Sequence, residues 1–149
     1  MTAIPPKAAE VKGAIEQVVL APILAERYLC VDRAFGELDC AGDALGTDCM
    51  LMGGVGTGAY PKLYHTDGKS NADWYGWHAN VLAPIDGTCA YTSTPGPENT
   101  PGHLGPPDKA GSIGTKTRDG VVVTLGHLAV VLVNVGDTVR VWASYRTCW

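Results

Sequence analysis

The residues best suited to chemistry are concentrated in one segment, residues 64–88, with the sequence YHTDGKSNADWYGWHANVLAPIDGT. It contains His65 and Asp73, whose side chains are of the types that bind catalytic zinc. A mononuclear catalytic zinc site uses three protein ligands and a water molecule, so this pair would supply two of the three. Histidines and aspartates in glycine-rich loops are also common surface hydrogen-bonding groups, so the spacing alone leaves both interpretations open.

Two further histidines and an aromatic cluster add to these candidates. His127 follows the strand-like run VVVTL, and His103 lies in the loop sequence PGHLGPP. The aromatic residues Trp74, Tyr75 and Trp77 stand beside the candidate ligands. Aromatic side chains next to a cleft can stack on sugars or peptides, but they can also fill the core of a chain that has a single phenylalanine.

Three motifs in order resemble the lysostaphin-like zinc metallopeptidases, the peptidoglycan endopeptidase family. HTDGKSNADWYGWHANVLAPIDGT resembles the entry motif of that family, GVVVTLGHL resembles its strand that ends in HL, and VNVGDTVRV resembles its VxVGDxV turn. The resemblance covers residues 64–141 and implies a mainly β fold with the antiparallel sheet of that peptidase type. It also implies that His65 and Asp73 are zinc ligands and that His127 assists catalysis beside the metal.

The chain departs from this family pattern after the third motif. The family continues with a glycine-rich strand and a final HxH pair, which supplies the third zinc ligand, whereas this chain reads VRVWASYRTCW. We therefore expect an incomplete zinc site and a non-catalytic structural or binding module, with other protein chains or peptidoglycan as partners. The alternative is an active zinc endopeptidase whose site is completed by another chain or by His103. The chain shows no secretory leader, which would suit a phage virion or an extracellular location, and the localisation stays open.

A second resemblance gives a third hypothesis. The pair APIDGT and VNVGDTV is similar to the half-motifs of biotinyl and lipoyl carrier domains, which are small β-sandwiches that present a modified lysine. Lys109, in the sequence PPDKAG, is the lysine that such a carrier would use. It lies in a proline-rich stretch rather than in a tight hairpin.

The elements that must position these residues fall into three predicted regions. Residues 1–34 form an N-terminal helical extension, in which Val11, Ile15 and Val18 recur at helical spacing and the helix ends near Pro22. A further piece, ILAERYLCV, is either helical or extended. Residues 35–63 form a glycine-rich connection in which Cys40 and Cys49 are candidate disulfide cysteines, with no pairing deducible. Residues 64–149 form the β domain.

Within the β domain, alternation and turn residues predict short strands. These cover residues 80–83, 88–92, 112–117, 121–125, 129–133 and 138–143. Turns are expected at Asp86-Gly87, Asp119-Gly120 and Gly136-Asp137. Residues 93–109 are too rich in proline and glycine for regular structure and are predicted to form a surface loop that rims a cleft.

Bulk composition limits the partners. The net charge is −4 and the eleven Lys and Arg residues are scattered, which argues against nucleic-acid binding. No apolar run is long enough to span a bilayer. The five cysteines are an odd number, so at least one stays free or pairs between chains, and a homo-oligomer is left open.

Overall fold

The computed structural model describes residues 18–32, 46–54, 58–103 and 110–145. Within these ranges the regular elements are almost all strands: β1 (Tyr28–Asp32), β2 (Thr47–Leu51), β3 (Gly87–Ser93), β4 (Gly111–Lys116), β5 (Val122–Leu128) and β6 (Thr138–Val139). A short 3₁₀ helix, Asn71–Asp73, lies between β2 and β3. The predicted mainly β class is confirmed for this part of the chain.

The strands form two antiparallel sheets. The larger sheet has the order β5-β4-β3-β6, and the smaller sheet pairs β1 with β2. The hairpin between β4 and β5 turns at the predicted Asp119-Gly120 pair, where Gly120 has a φ of 92° and the Thr117 N–H donates to the Val121 carbonyl over 2.8 Å. Only glycine adopts such a φ without strain, so this turn follows directly from the sequence.

A second predicted turn precedes β6. The Asp137 N–H donates to the Asn134 carbonyl over 3.1 Å, and the Asp137 carboxylate accepts from the Asn134 N–H over 2.8 Å. By contrast, Asp86-Gly87 leads straight into β3. A Cβ at Gly87 would lie 2.5 Å from the Lys116 carbonyl oxygen, so this glycine permits close strand approach.

The core lies where the larger sheet meets the segments that cover it. Its buried side chains come from strands β2 to β6, from residues 81–83 and from both ends of the described chain: Leu24, Leu51, Val81, Ala83, Cys89, Ile113, Leu128, Val139 and Tyr145. Thr115 is also buried, and its hydroxyl is hydrogen-bonded to the Tyr145 hydroxyl over 2.8 Å. Residues far apart in sequence therefore close one apolar cluster.

Three of the six predicted strands differ from what forms. Residues 80–83 make only isolated bridges, Leu24 to Val81 and Leu82 to Ser144, and residues 129–133 have no regular structure. The last predicted strand is reduced to Thr138–Val139, because a turn follows in which Trp142 has a φ of 64°. Apolar alternation is present at all three places, but partners for a continuous ladder are not.

The N-terminal regions also differ in part from expectation. The predicted helix falls mostly on residues 1–17, outside the described residues, and residues 18–22 are not helical, so its predicted end near Pro22 is wrong. There the Ala21 N–H donates to the Pro84 carbonyl over 2.9 Å instead of to a helical partner. Of the piece ILAERYLCV, Tyr28 onward is extended as β1.

The glycine-rich connection contains β2, which has no clear strand pattern in the sequence. Cys49 of β2 stands opposite Cys30 of β1 and forms a disulfide with it. Cys49 is thus one of the two cysteines predicted to hold this segment. Cys40, the other, lies outside the described residues.

Candidate functional site

The loop of residues 64–74 is built around the carboxylate of Asp73. The loop is closed by a bridge between Tyr64 and Trp74 and by the His65 N–H, which donates to the Asp73 carbonyl over 2.8 Å. One Asp73 carboxylate oxygen accepts from the Thr66 N–H over 2.8 Å. The other accepts from the Thr66 hydroxyl over 3.0 Å and from the Gly68 N–H. Both oxygens are therefore engaged in holding the loop.

These hydrogen bonds set the charge state of the carboxylate. Burial raises the pKa of Asp73, but hydrogen bonds from the Gly68, Thr66 and Asp67 backbone and from the Thr66 hydroxyl outweigh it, so the pKa lies below its usual value. Asp73 is anionic at neutral pH and is stabilised as such by its own loop.

His65 faces a different environment from the one expected of a ligand that converges with His127. Its side chain is exposed and its ring packs on Tyr75, with ring centroids 4.0 Å apart. Tyr75 in turn packs against the core, and a Cβ at Gly53 would collide with its ring at 2.0 Å. Tyr75 is thus a packing residue, in line with the core interpretation of the aromatic cluster.

Trp74 and Trp77 of the aromatic cluster line a cleft with a volume of about 690 Å³. Trp74 is half-buried and held from two directions: its indole N–H donates to the Gly68 carbonyl over 2.9 Å, and Tyr64 meets its ring edge-on with centroids 5.3 Å apart. Trp77 is half-buried and packs edge-on against the His78 ring. Both indoles line the cleft, so for them the stacking interpretation is the relevant one.

Four stretches of the chain supply most of the remaining cleft wall. They are residues 46–51 on β2, residues 71–81, the loop residues 99–103 and residues 124–128 on β5. The loop of residues 93–103 has no regular structure beyond Ser93 and reaches the cleft with its last five described residues, as predicted. The Asn71 amide N–H donates to the Asn99 carbonyl over 2.9 Å, and the Asn99 amide donates to the His103 carbonyl. This chain of hydrogen bonds ties the loop to the 3₁₀ helix.

His127 reaches the cleft from a β-bulge. Gly111 pairs with Leu128 and Ile113 pairs with Leu125, so two residues of β5, Gly126 and His127, stand opposite one residue of β4. His127 has a φ of 59°, in the left-handed region that costs an L-residue about 1–2 kcal/mol. Bulges of this kind re-aim a side chain, and they are common beside functional sites.

The structure divides the predicted site residues into two groups. His127 and His103 line the cleft, whereas His65 and Asp73 do not. Among the described residues, no three His, Cys, Asp or Glu side chains form a group that could hold a metal ion. The donor set His65, Asp73 and His127 therefore does not fit one zinc ion in this arrangement, and zinc binding at His65 and Asp73 alone stays a prediction.

Several residues of the cleft were not singled out from sequence. Asn71, Asn99 and Asp48 of β2 line it, and the first two tie its wall together. No local pattern reveals them, because their contacts join separate segments, 28 residues apart for Asn71 with Asn99 and 17 for Asp48 with Val31 of β1. The lysine of the carrier hypothesis, Lys109, lies outside the described residues.

Comparison of the chain with protein-family models, with curated proteins and with solved structures gives no match. In the part of the chain that the structure describes, no helix is long and apolar enough to cross a membrane.

Proposed function

We propose that this protein is a non-catalytic binding module that uses the cleft beside the 64–74 loop to hold peptidoglycan, on a fold resembling that of the lysostaphin-like peptidases. The observation that carries the proposal is the cleft itself, on which Trp74 and Trp77 are exposed in part and positioned by their own contacts. Rigid aromatic groups lose little conformational entropy on binding and provide large contact areas. The choice of peptidoglycan rests on the motifs in residues 64–141.

The hydrogen bonding of the Asp73 carboxylate favours a binding function over hydrolysis. In this loop both carboxylate oxygens accept hydrogen bonds from Thr66 and Gly68, so Asp73 has a structural role that needs no metal. His127 lines the cleft whereas His65 and Asp73 do not, and no group of three metal-binding side chains is found among the described residues.

Cosedimentation with purified peptidoglycan sacculi tests the proposal. We expect the wild-type protein to pellet with sacculi and Trp77→Ala to lose affinity by about tenfold or more, because truncating a central aromatic anchor typically costs that much. Trp142→Ala is the matched control, since Trp142 is 63% exposed and does not line the cleft. Wild-type protein that stays in the supernatant would refute the function.

One observation keeps the zinc endopeptidase as a second candidate. His103 and His127 line the same cleft, so His103 is positioned to contribute to a site that another chain would complete. Metal analysis after zinc loading distinguishes the candidates. Stoichiometric zinc that is lost in His103→Ala, together with release of peptide fragments from sacculi, would favour the endopeptidase. Sacculus binding without either result would favour the binding module.

A further inference from the structure

The charge of the cleft wall narrows the ligand. No lysine or arginine is found among the described residues that line the cleft, and Asp48 is the one carboxylate there. Peptidoglycan stem peptides carry free carboxylates, and protein sites normally meet buried carboxylates with Arg or Lys. A stem peptide would therefore place its acidic groups where the described part of the wall offers the imidazoles of His103 and His127 but no lysine or arginine.

The neutral polar groups of the wall suit a different part of the polymer. Threonines from three separate segments line it, Thr47, Thr100 and Thr124. The Thr47 hydroxyl donates to the Asp32 carboxylate over 2.8 Å and the Thr124 hydroxyl is hydrogen-bonded to the Tyr91 hydroxyl over 2.6 Å, so each keeps only part of its hydrogen-bonding capacity for a ligand. Hydroxyl groups both donate and accept hydrogen bonds, which matches the hydroxyls and acetamido groups of N-acetylated sugars.

The two indoles add the apolar half of such a site. A pyranose ring presents C–H groups on its faces, and these pack on the electron-rich face of an aromatic ring. The cleft volume of about 690 Å³ lies within the range of about 300–1,000 Å³ that holds a ligand of drug size, so a short stretch of glycan fits.

We infer that the cleft recognises the uncharged N-acetylated sugar units of a glycan strand, and not the stem peptides. This inference rests on the proposed function and specifies which part of the polymer is bound. An uncharged ligand forms no ion pair with the cleft that salt could screen. The affinity of the cleft for such a ligand should therefore be nearly independent of ionic strength.

Two defined probes test the inference by isothermal titration calorimetry on the full chain. One is a neutral β-1,4-linked oligomer of N-acetylglucosamine, and the other is a synthetic stem pentapeptide. We expect the oligomer alone to bind, with an affinity that changes less than about twofold between 0.05 and 0.5 M salt. Trp77→Ala should weaken oligomer binding about tenfold or more and Trp77→Phe should weaken it less, since Phe keeps an aromatic face. Trp142→Ala should bind as the wild type does.

Binding of the pentapeptide without the oligomer, or salt-sensitive oligomer binding, would overturn the inference while the function stood. Sacculi that bind when neither probe does would also overturn it. If sacculi fail to bind while the oligomer binds, the proposed function fails and the glycan specificity stands.

Discussion

Asp73 stabilises the 64–74 loop through its charge, which makes the loop sensitive to acid. Its pKa is lowered in the folded protein, so its contribution to stability is fully present above the pKa of a free aspartate, about 3.9, and is lost as the pH falls through the lower folded value. We expect Asp73→Asn to lower the free energy of unfolding at neutral pH, because an amide replaces an oxygen acceptor by a donor.

The difference in the free energy of unfolding between wild type and Asp73→Asn should become smaller as the pH is lowered below about 3.9. Urea unfolding of both proteins from about pH 2.5 to 7 measures it. Thr66→Val removes only the hydroxyl donor and serves as the partial variant, with a smaller loss. A difference that stays constant down to the lowest pH would show that the carboxylate charge does not support the loop.

His127 occupies a backbone conformation that disfavours any L-residue. With φ at 59°, we expect His127→Ala to be less stable than His127→Gly by about 1–2 kcal/mol, because glycine has no Cβ to clash in the left-handed region. At Val123, an ordinary position of the same strand, alanine should be more stable than glycine. Equilibrium denaturation of the four variants measures both differences, and the same order at both positions would contradict the bulge.

At the scale of elements, the two-stranded sheet of β1 and β2 depends on its covalent link. An isolated pair of strands is marginal in water, and here Cys30 and Cys49 join the strands at one register position, 19 residues apart in sequence. Reduction should lower the free energy of unfolding by about 3 kcal/mol, since the disulfide restricts the conformations available to the unfolded chain.

The matched variant is Cys30→Ala combined with Cys49→Ala, which should have the reduced stability from the outset and no response to a dithiol reductant. Denaturation curves with and without reductant measure both effects. Because residues 46–51 line the cleft, the double variant should also bind sacculi more weakly. Equal losses on reduction in both proteins would assign the effect to other cysteines.

At the scale of the whole molecule, the hydrogen bond between Thr115 and Tyr145 ties the end of the described chain to β4, one of the two inner strands of the larger sheet. Both side chains are buried, with relative exposures of 2% and 1%. Tyr145→Phe leaves the Thr115 hydroxyl buried without this partner and should cost about 1–3 kcal/mol. The double variant Thr115→Val with Tyr145→Phe should recover most of that loss, because neither polar group then remains. Thermal or urea unfolding of the wild type, the two single variants and the double variant tests this. If the stability losses of the single variants simply add in the double variant, the two side chains are not coupled.

Burial of Tyr145 also makes the stability depend on pH. Burial raises the pKa of Tyr145, partly offset by the hydrogen bond with Thr115, so its stabilising contribution is present below the tyrosine value of about 10 and is lost as the pH rises through the folded value. Burial and the nearby Asp137 charge raise the pKa of Cys89 as well, which adds a fall that begins near about 8.5. In Tyr145→Phe, the free energy of unfolding should therefore show only the fall at lower pH, which depends on Cys89.

The sequence by itself determined the class of the fold and the features set by short-range chemistry. The strands near residues 88–92, 112–117 and 121–125 and the turns at Asp119-Gly120 and Gly136-Asp137 were predictable, because β-branched alternation and left-handed glycine positions act within a few residues. The irregular loop after β3 was predictable for the same reason, from its prolines and glycines.

Only the tertiary structure decided how the candidate site is assembled. The β2 strand pairs with β1 and is joined to it by the disulfide, the bulge at His127 follows from the register of β4 against β5, and the cleft is built from four separate stretches of chain. His65 and Asp73 share a segment with Trp74 and Trp77, yet the loop hydrogen bonds of Asp73 direct that carboxylate inward while the indoles line the cleft. Such long-range contacts leave no periodic trace in the sequence, since each pairing is fixed by packing and closure of the whole domain and not by neighbouring residues.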